Sequence, residues 1–331
     1  MELTKKQTIF LLCICLAANK VQRLPSLIST NIARHGWLAF LVMGVLDILF
    51  LILTLCFNKK AKNRTTYEIC ENAGGKVYAK IMFIILAVYF LLNSLLPYEA
   101  VHDLFANILF DKLSWNVYGI ALALTVFFIA SRCLKNIGRL AELLFYIIAI
   151  SFLILLILGA VTTNYWHILP ITEINVSSFI KTCLEYNLWF GDFLLIYIFV
   201  GKIKQEKKPL GWPCVLLFSL TVLFISFAYI VYYGLYENLS INQNSLISSI
   251  SQFSLLELDI GRIDWFLVLF FQISTVISSS TYIFATAYCV RKIIGAGNNV
   301  LICLIIATII YFLDIFIFKS VQAGASIIAS V

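Results

Sequence analysis

The sequence predicts an all-α membrane protein with about ten transmembrane helices, and three observations lead to this fold class. Of its 331 residues, 62% are hydrophobic and 12% are charged, whereas an ordinary soluble domain has about 25% charged residues. Ten apolar stretches follow one another, and most have the roughly 20 residues that a spanning helix needs. The lysines and arginines also divide very unevenly between the two sides that ten spans define.

The ten apolar stretches form one predicted transmembrane domain, residues 1–331. Their bounds are 7–31, 37–57, 77–110, 115–130, 137–162, 177–201, 212–236, 265–290, 300–318 and 320–331. The last is a short helix of about 18 Å, so it is either a half-helix or the start of a truncated span. The first has no small-residue cleavage site, and we expect it to remain as a span.

The positive charges orient these spans. With the N-terminus inside, seventeen of the 24 lysines and arginines lie on the cytoplasmic side and five lie outside, while Lys20 and Arg23 lie within the first span. Cytoplasmic loops retain positive charge, so the N-terminus is predicted to be cytoplasmic. The net charge of +7 then reflects topology and contact with anionic lipid headgroups, and no nucleic-acid partner is expected.

Two of the spans contain helix breakers near their centres. In the first, the polar residues 19–23 are followed by Leu24 and Pro25; in the sixth, residues 185–187 precede Gly191-Asp192. Broken helices at corresponding positions of two halves are typical of inverted-repeat transporters, which hold substrate where the backbone leaves the helix. We therefore predict repeats of about 7–163 and 177–331.

Polar residues recur at the predicted membrane midplane in spans one, three, six and eight. The predicted ligand-binding residues are Asn19, Lys20, Asn93, Gly191, Thr275 and Ser278. Hydroxyls, an amide and freed backbone groups of this kind suit a small zwitterion. A single serine or threonine in a membrane helix more often bonds its own backbone, so the prediction depends on the convergence of all four segments.

Ionisable residues inside a membrane are costly and are functional candidates. The predicted coupling or structural charges are Asp47, Glu99, Asp103 and Asp192. Asp47 must face protein, with Lys20 or Arg23 as its partner, and a structural ion pair and a proton relay are both open. Glu99 and Asp103 share one helix face, where a hydrated vestibule is the alternative.

Catalytic chemistry finds no support in the sequence. There is no Ser-His-Asp ordering, zinc-ligand spacing or phosphate-binding glycine loop, and the nine cysteines form no CxxC pair. We therefore expect no enzyme activity, no catalytic residues, no metal site and no cofactor.

Several short motifs occur in an order that resembles a known family. They are Gln7, Leu24-Pro25, residues 36–38 (GWL), 137–142 (IGRLAE), 190–192 (FGD) and 261–265 (GRIDW). Together they resemble the spore germination permease family, the B subunit of nutrient germinant receptors. This family is a branch of the amino acid-polyamine-organocation superfamily, and the resemblance covers essentially the whole chain.

The resemblance implies a five-plus-five inverted-repeat (LeuT-like) fold with broken helices 1 and 6. It also implies a nutrient ligand, commonly an amino acid, bound between spans one, three, six and eight in the inner membrane of a spore. The implied partners are an A-type membrane subunit and a C-type lipoprotein. The superfamily often has a glycine-rich break in span one, whereas residues 17–20 here read AANK. In such a break, exposed backbone amides hold a ligand carboxylate. Here the Lys20 ammonium could bind the carboxylate instead, or Lys20 could snorkel to a headgroup or pair with Asp47.

Three functions stay open at this point. As a receptor subunit, the protein binds a germinant and signals through its partners. As a stand-alone amino acid permease, it moves a solute together with a proton or cation. The short last segment also leaves open a paralogue that assembles without binding a ligand.

Overall fold

The computed structural model describes most of the chain. It covers residues 3–22, 24–60, 64–104, 115–168, 175–200, 202–203, 210–236, 246–247, 249–250, 264–295 and 297–329. Within these ranges it describes the backbone alone for residues 58–60, 99–104, 115–116, 188, 264–267 and 317–329. The regular elements of this part are helical, and its one β-bridge joins Leu3 to Ile203. The all-α class is confirmed.

Eleven α-helices lie within the described ranges. In chain order they are α1 (Lys5–Val21), α2 (Leu24–Ile32), α3 (Gly36–Lys60), α4 (Thr66–Leu104), α5 (Trp115–Ala130), α6 (Leu134–Thr162), α7 (Val176–Tyr186), α8 (Leu195–Phe199), α9 (Gly211–Tyr236), α10 (Asp264–Ile294) and α11 (Asn299–Ala329). Short 3-10 turns lie at Ala33–His35, Tyr165–Ile168, Asn187–Trp189 and Asp192–Leu194.

Six stretches of the described helices are long and apolar enough to cross a membrane. They are Leu24–Phe57, Thr66–Tyr98, Leu134–Thr162, Gly211–Tyr236, Val268–Ile294 and Asn299–Phe316. Large apolar side chains such as Leu53, Leu143 and Phe312 are exposed on their surfaces. Exposed apolar side chains in such numbers suit contact with lipid rather than with water. The protein is therefore an integral membrane protein.

The observed helices differ from the predicted segments at the C-terminal end of the chain and agree with them at several interruptions. The predicted ninth and tenth spans form the single helix α11, because no proline or glycine stands at residues 318–320. Gly75 interrupts α4 with φ 80° and ψ 177°, a conformation open essentially to glycine alone, and the predicted third span follows it. Interruptions of the first and sixth spans are confirmed. The ten-helix inverted repeat stays a prediction.

The chain forms two compact units. The first comprises Met1–Thr66 and Gly138–Ser274, and the second comprises Tyr67–Ile137 and Thr275–Val331. In the first unit, α1 is buried along nearly its whole length and packs on α9. In the second, side chains of α4, α5, α10 and α11 share one hydrophobic core. These units are not the predicted repeats, which stay a prediction.

Close packing of α3 against α9 depends on Gly44. A Cβ atom added there lies 2.6 Å from Val222 Cγ1. We expect Gly44→Ala to lower the free energy of unfolding by about 1–3 kcal/mol, because the two helices must separate to admit the methyl group. Thermal unfolding of the detergent-purified protein measures this loss.

Gly211 provides the matched control for that substitution. It lies at the first residue of α9, and an added Cβ has nothing within 4 Å. Gly211→Ala should therefore leave stability unchanged or raise it slightly. Equal melting temperatures for the two variants would show that Gly44 is not a contact between the helices.

Candidate functional site

The first helix break separates α1 from α2. α1 starts with a capping box in which the Thr4 side chain accepts a 3.2 Å hydrogen bond from the Gln7 N–H. It ends at Gln22, whose φ of −78° and ψ of −89° leave the helical region. Pro25 has no N–H to donate to the Val21 carbonyl, so the hydrogen-bond ladder of α1 cannot continue into α2. Arg23 lies outside the described residues.

Groups from α9 and a following segment satisfy the carbonyls around this break. The Tyr229 hydroxyl donates to the Lys20 carbonyl and the Tyr233 hydroxyl donates to the Pro25 carbonyl, both at 2.7 Å. The Leu246 N–H donates to the carbonyl of Gln22 at 3.2 Å. Both tyrosines are completely buried. The interruption is therefore a specified feature of the fold, because the surrounding helices supply its hydrogen-bond donors.

The second break lies between α7 and α8. After the 3-10 turn Asn187–Trp189, Phe190 is extended (φ −105°, ψ 92°) and Gly191 has φ −167° and ψ 23°. A second 3-10 turn, Asp192–Leu194, then leads into α8, and the Leu194 N–H donates to the Gly191 carbonyl at 3.0 Å. The break places the Asp192 side chain inside the first unit, where it is 1% exposed.

The two breaks meet at a buried charge cluster, which we define as Lys20, Asp47 and Asp192. Lys20 Nζ forms an ion pair with Asp192 and lies 3.8 Å from Asp47 Oδ2. The ammonium also lies 4.7 Å from the centre of the Phe190 ring, a cation-π contact. Asn19 Nδ2 donates to Asp192 Oδ1 at 3.5 Å. Of the two partners proposed for Asp47, Lys20 lies within ion-pair distance, while Arg23 lies outside the described residues. Lys20 is completely buried rather than directed to a headgroup.

The two acids of the charge cluster differ in how well they are satisfied. Asp192 has the closer contact with the ammonium and the hydrogen bond from Asn19. Both carboxylate oxygens of Asp47 are buried and accept no hydrogen bond from the described residues. Burying a carboxylate is costly unless it is paired and hydrogen-bonded. Asp47 is therefore the less stabilised anion.

A comparison with models of protein families shows to which family the chain belongs. The model of the spore permease family, described as spore germination protein, matches residues 2–322. The chain belongs to the spore germination permease family. No curated protein matches it. The family match covers nearly the full length, including both breaks and the whole charge cluster.

Two of the sequence motifs meet at the start of α1. Gln7 Nε2 donates to Glu142 Oε2 at 3.0 Å, and Lys6 Nζ lies 3.3 Å from Glu142 Oε1. Hydrogen bonding to Glu142 raises the pKa of Lys6. A Cβ atom at Gly138 would collide with Leu3 and lie 3.2 Å from Gln7 Cβ. This part of the 137–142 motif therefore anchors α1 to α6 rather than lining a ligand site.

In the second unit, the predicted ligand-binding residues are buried polar side chains. Asn93 Nδ2 donates to the carbonyl of Tyr89 at 3.0 Å, while Asn93 Oδ1 accepts no hydrogen bond from the described residues. Thr275 and Ser278 are completely buried. The described geometry brings Asn19, Lys20 and Gly191 to one place in the first unit. Asn93, Thr275 and Ser278 belong to the second unit, and their role as ligand contacts stays a prediction.

Other hydroxyls of α10 have structural partners. Ser280 donates to the Val276 carbonyl at 2.7 Å and Thr281 donates to the Ile277 carbonyl at 2.7 Å, both within the helix. Ser279 donates to the carbonyl of Ser94 in α4 at 2.8 Å. These bonds are the structural alternative that the sequence left open. The side chains of Glu99 and Asp103 lie outside the described part of α4.

An apolar cavity of about 300 Å³ lies in the first unit. Its walls come from α1, α6, α9 and Phe271, and include Ile14, Phe145, Leu153 and Phe224. No predicted ligand-binding residue lines it. A wall so apolar suits a hydrocarbon group and offers little to a zwitterion.

Sequence reasoning missed the tyrosines of α9 that bond the first break. Tyr229, Tyr232, Tyr233 and Tyr236 are spaced at three and four residues, which places them on one helical face. Buried tyrosines usually need a partner for the hydroxyl. A tyrosine face in the middle of an apolar span was therefore a usable signal that α9 bonds an irregular backbone.

Proposed function

We propose that this protein is the membrane subunit of a nutrient germinant receptor, which binds a small solute, preferably an amino acid. Contact between the two helix breaks at Asn19, Lys20 and Asp192 supports this proposal. Proteins with paired broken helices hold their ligands where the backbone leaves the helix. Ligand binding would favour one conformer, and an A-type membrane subunit and a C-type lipoprotein would read that conformer.

Neutral groups beside the charge cluster are the proposed ligand contacts. The Lys20 ammonium already faces two carboxylates, so it is poorly placed to recognise a ligand carboxylate as well. Asn19 and the backbone at Gly191 are better candidates in the first unit. Asn93, Thr275 and Ser278 remain sequence-based candidates. In this proposal no catalytic step or cofactor is involved, and the N-terminus is cytoplasmic in the spore inner membrane.

Ligand-induced stabilisation of the detergent-purified protein tests the proposal. A ligand that binds only the native state raises the free energy of unfolding by about 2.7 kcal/mol at 100 times its Kd. We expect one or a few amino acids in a panel with sugars and nucleosides to raise the melting temperature. If none does, either alone or with the co-expressed A and C subunits, the receptor proposal fails.

Two serines of α10 provide a matched pair for locating the ligand. Ser278 is a predicted contact, whereas Ser280 bonds the Val276 carbonyl of its own helix, and both are completely buried. Ser278→Ala should weaken the stabilisation by the ligand several-fold, and Ser280→Ala should leave it unchanged. Equal effects would assign Ser278 to packing.

A stand-alone amino acid permease coupled to a proton or cation is the second candidate. The charge cluster favours it, because ionisable residues inside a membrane commonly mark ion pathways. Uptake of the stabilising amino acid by proteoliposomes, with and without a proton gradient, distinguishes this function from sensing. Absence of both uptake and binding would leave a subunit that assembles without a ligand.

A further inference from the structure

The apolar cavity of the first unit reaches the otherwise buried helix α1. Of residues 7–21 in α1, all except Ala17 are buried, and Ala17 lines the cavity. Other walls include Tyr146, Leu153 and Leu220, whose side chains are 52%, 44% and 58% exposed. The cavity is therefore continuous with the lipid-facing surface of α6 and α9, and α1 forms its floor.

The cavity lies deep in the membrane. Its α6 wall runs from Phe145 to Leu153, which is about 12 Å of helix at about 1.5 Å per residue. Ala149 is in the middle of this wall and also at the centre of the predicted span 137–162. At that depth a protein is surrounded by hydrocarbon chains, and not by headgroups or water. An occupant therefore reaches the cavity from the hydrocarbon core.

The chemistry of the walls selects an apolar occupant. Thr221 is a polar residue of the wall, and its hydroxyl donates to the Leu217 carbonyl of the same helix at 2.8 Å. The Phe152 ring lies in an aromatic cluster of the wall, with its centroid 5.3 Å from that of Phe224 and 5.4 Å from that of Phe271. An apolar cavity of about 150 Å³ can stay dry. Water is therefore a poor filler for a cavity of about 300 Å³ with such walls.

The volume of the cavity selects a thin, flexible occupant. One turn of an α-helix about 10 Å across and about 5.4 Å high takes up roughly 420 Å³, which is more than the cavity of about 300 Å³ can hold. A helix of another protein would cover the opening and leave the cavity unfilled, whereas a hydrocarbon chain can enter and bury its methylene groups. We propose that the cavity is a lipid-binding site that holds the tail of a membrane lipid. The tail completes the packing of α1 at Ala17, one turn before Lys20, and the inference does not depend on the solute that the protein binds.

A photoreactive lipid tests the proposal in proteoliposomes. The probe is phosphatidylglycerol with a diazirine near the end of one acyl chain, and mass spectrometry of the irradiated protein locates the cross-links. We expect cross-links in α1 at Ala17 and at Ile14, which also lines the cavity. Lipid-exposed residues such as Leu143 and Leu223 should be cross-linked as well. Cross-links confined to such exposed residues, with none at residues 13–17, would show that tails do not enter the cavity and would overturn the proposal.

Two phenylalanine substitutions in α6 provide matched variants. Ala149 lines the cavity, whereas Leu143 is 69% exposed and does not line it. Ala149→Phe should fill the cavity and reduce the cross-links at Ala17 several-fold, and Leu143→Phe should leave them unchanged. Equal cross-linking in the two variants, or loss of the Ala17 cross-links when the A-type subunit is co-expressed, would contradict a lipid tail in the cavity. If Ala149→Phe does not fold, the cross-link map of the wild type still decides the proposal.

Discussion

Replacing Lys20 by methionine should lower the free energy of unfolding by about 3–5 kcal/mol, the loss typical of breaking a buried ion pair by removing one partner. Methionine keeps much of the apolar stem but removes the ammonium. Asp47 and Asp192 then lose the buried ammonium with which both are paired. Thermal unfolding in detergent, followed by size-exclusion chromatography, measures the loss of folded protein.

An exposed lysine gives the control for this substitution. Lys181 pairs with Glu185 at 3.6 Å, but the two side chains are 74% and 44% exposed. Lys181→Met should change stability by less than about 1 kcal/mol, as exposed ion pairs usually do. Adding Asp192→Asn to Lys20→Met should restore part of the lost stability. Equal, small losses for Lys20→Met and Lys181→Met would mean that the cluster does not stabilise the fold.

The double substitution Tyr229→Phe and Tyr233→Phe should be the second most damaging change. Each removes a hydroxyl that donates to a carbonyl at the first break. An unsatisfied buried acceptor costs about 1–3 kcal/mol, so the two together should cost about 2–6 kcal/mol. The rings stay in place, so packing is little changed, and unfolding in detergent measures the difference.

Tyr165 separates this effect from the general loss of a tyrosine hydroxyl. Its hydroxyl also donates to a backbone carbonyl, that of Ala160 at 3.0 Å, but the side chain is 45% exposed. Water can replace that bond, so Tyr165→Phe should be nearly neutral. If the double variant is as stable as Tyr165→Phe, other donors must form hydrogen bonds with the carbonyls of the first break. The tyrosines of α9 would then not stabilise it.

Structural features that a few neighbouring residues cause could be predicted from the sequence. Pro25 stops a helical ladder by its own chemistry, and the polar run around Gly191 weakens a helix in an apolar span, so both breaks were predictable. Asp47 could not remain unpaired in an apolar helix, and Lys20 was a natural partner. Such arguments need only a few neighbouring residues.

The remaining features depend on contacts between distant parts of the chain. Lys20 and Asp192 are 172 residues apart, and no periodicity reports that their side chains meet. The sequence also does not show which carbonyl a buried hydroxyl bonds. Ser279 donates to a carbonyl of another helix, whereas Ser280 donates to a carbonyl of its own helix. The division of Asn299–Ala329 into two spans was wrong, since an apolar run contains no reliable end signal without a breaker.

The N-terminal residues are part of the packed structure. The Leu3 N–H donates to the Lys202 carbonyl at 2.8 Å, Leu3 pairs with Ile203, and its side chain is completely buried against Gly138. A purification tag or fluorescent fusion joined directly to the start of the chain would strain these contacts next to the second broken segment. Any fusion added on the N-terminal side of Leu3 should therefore be separated from it by a flexible spacer.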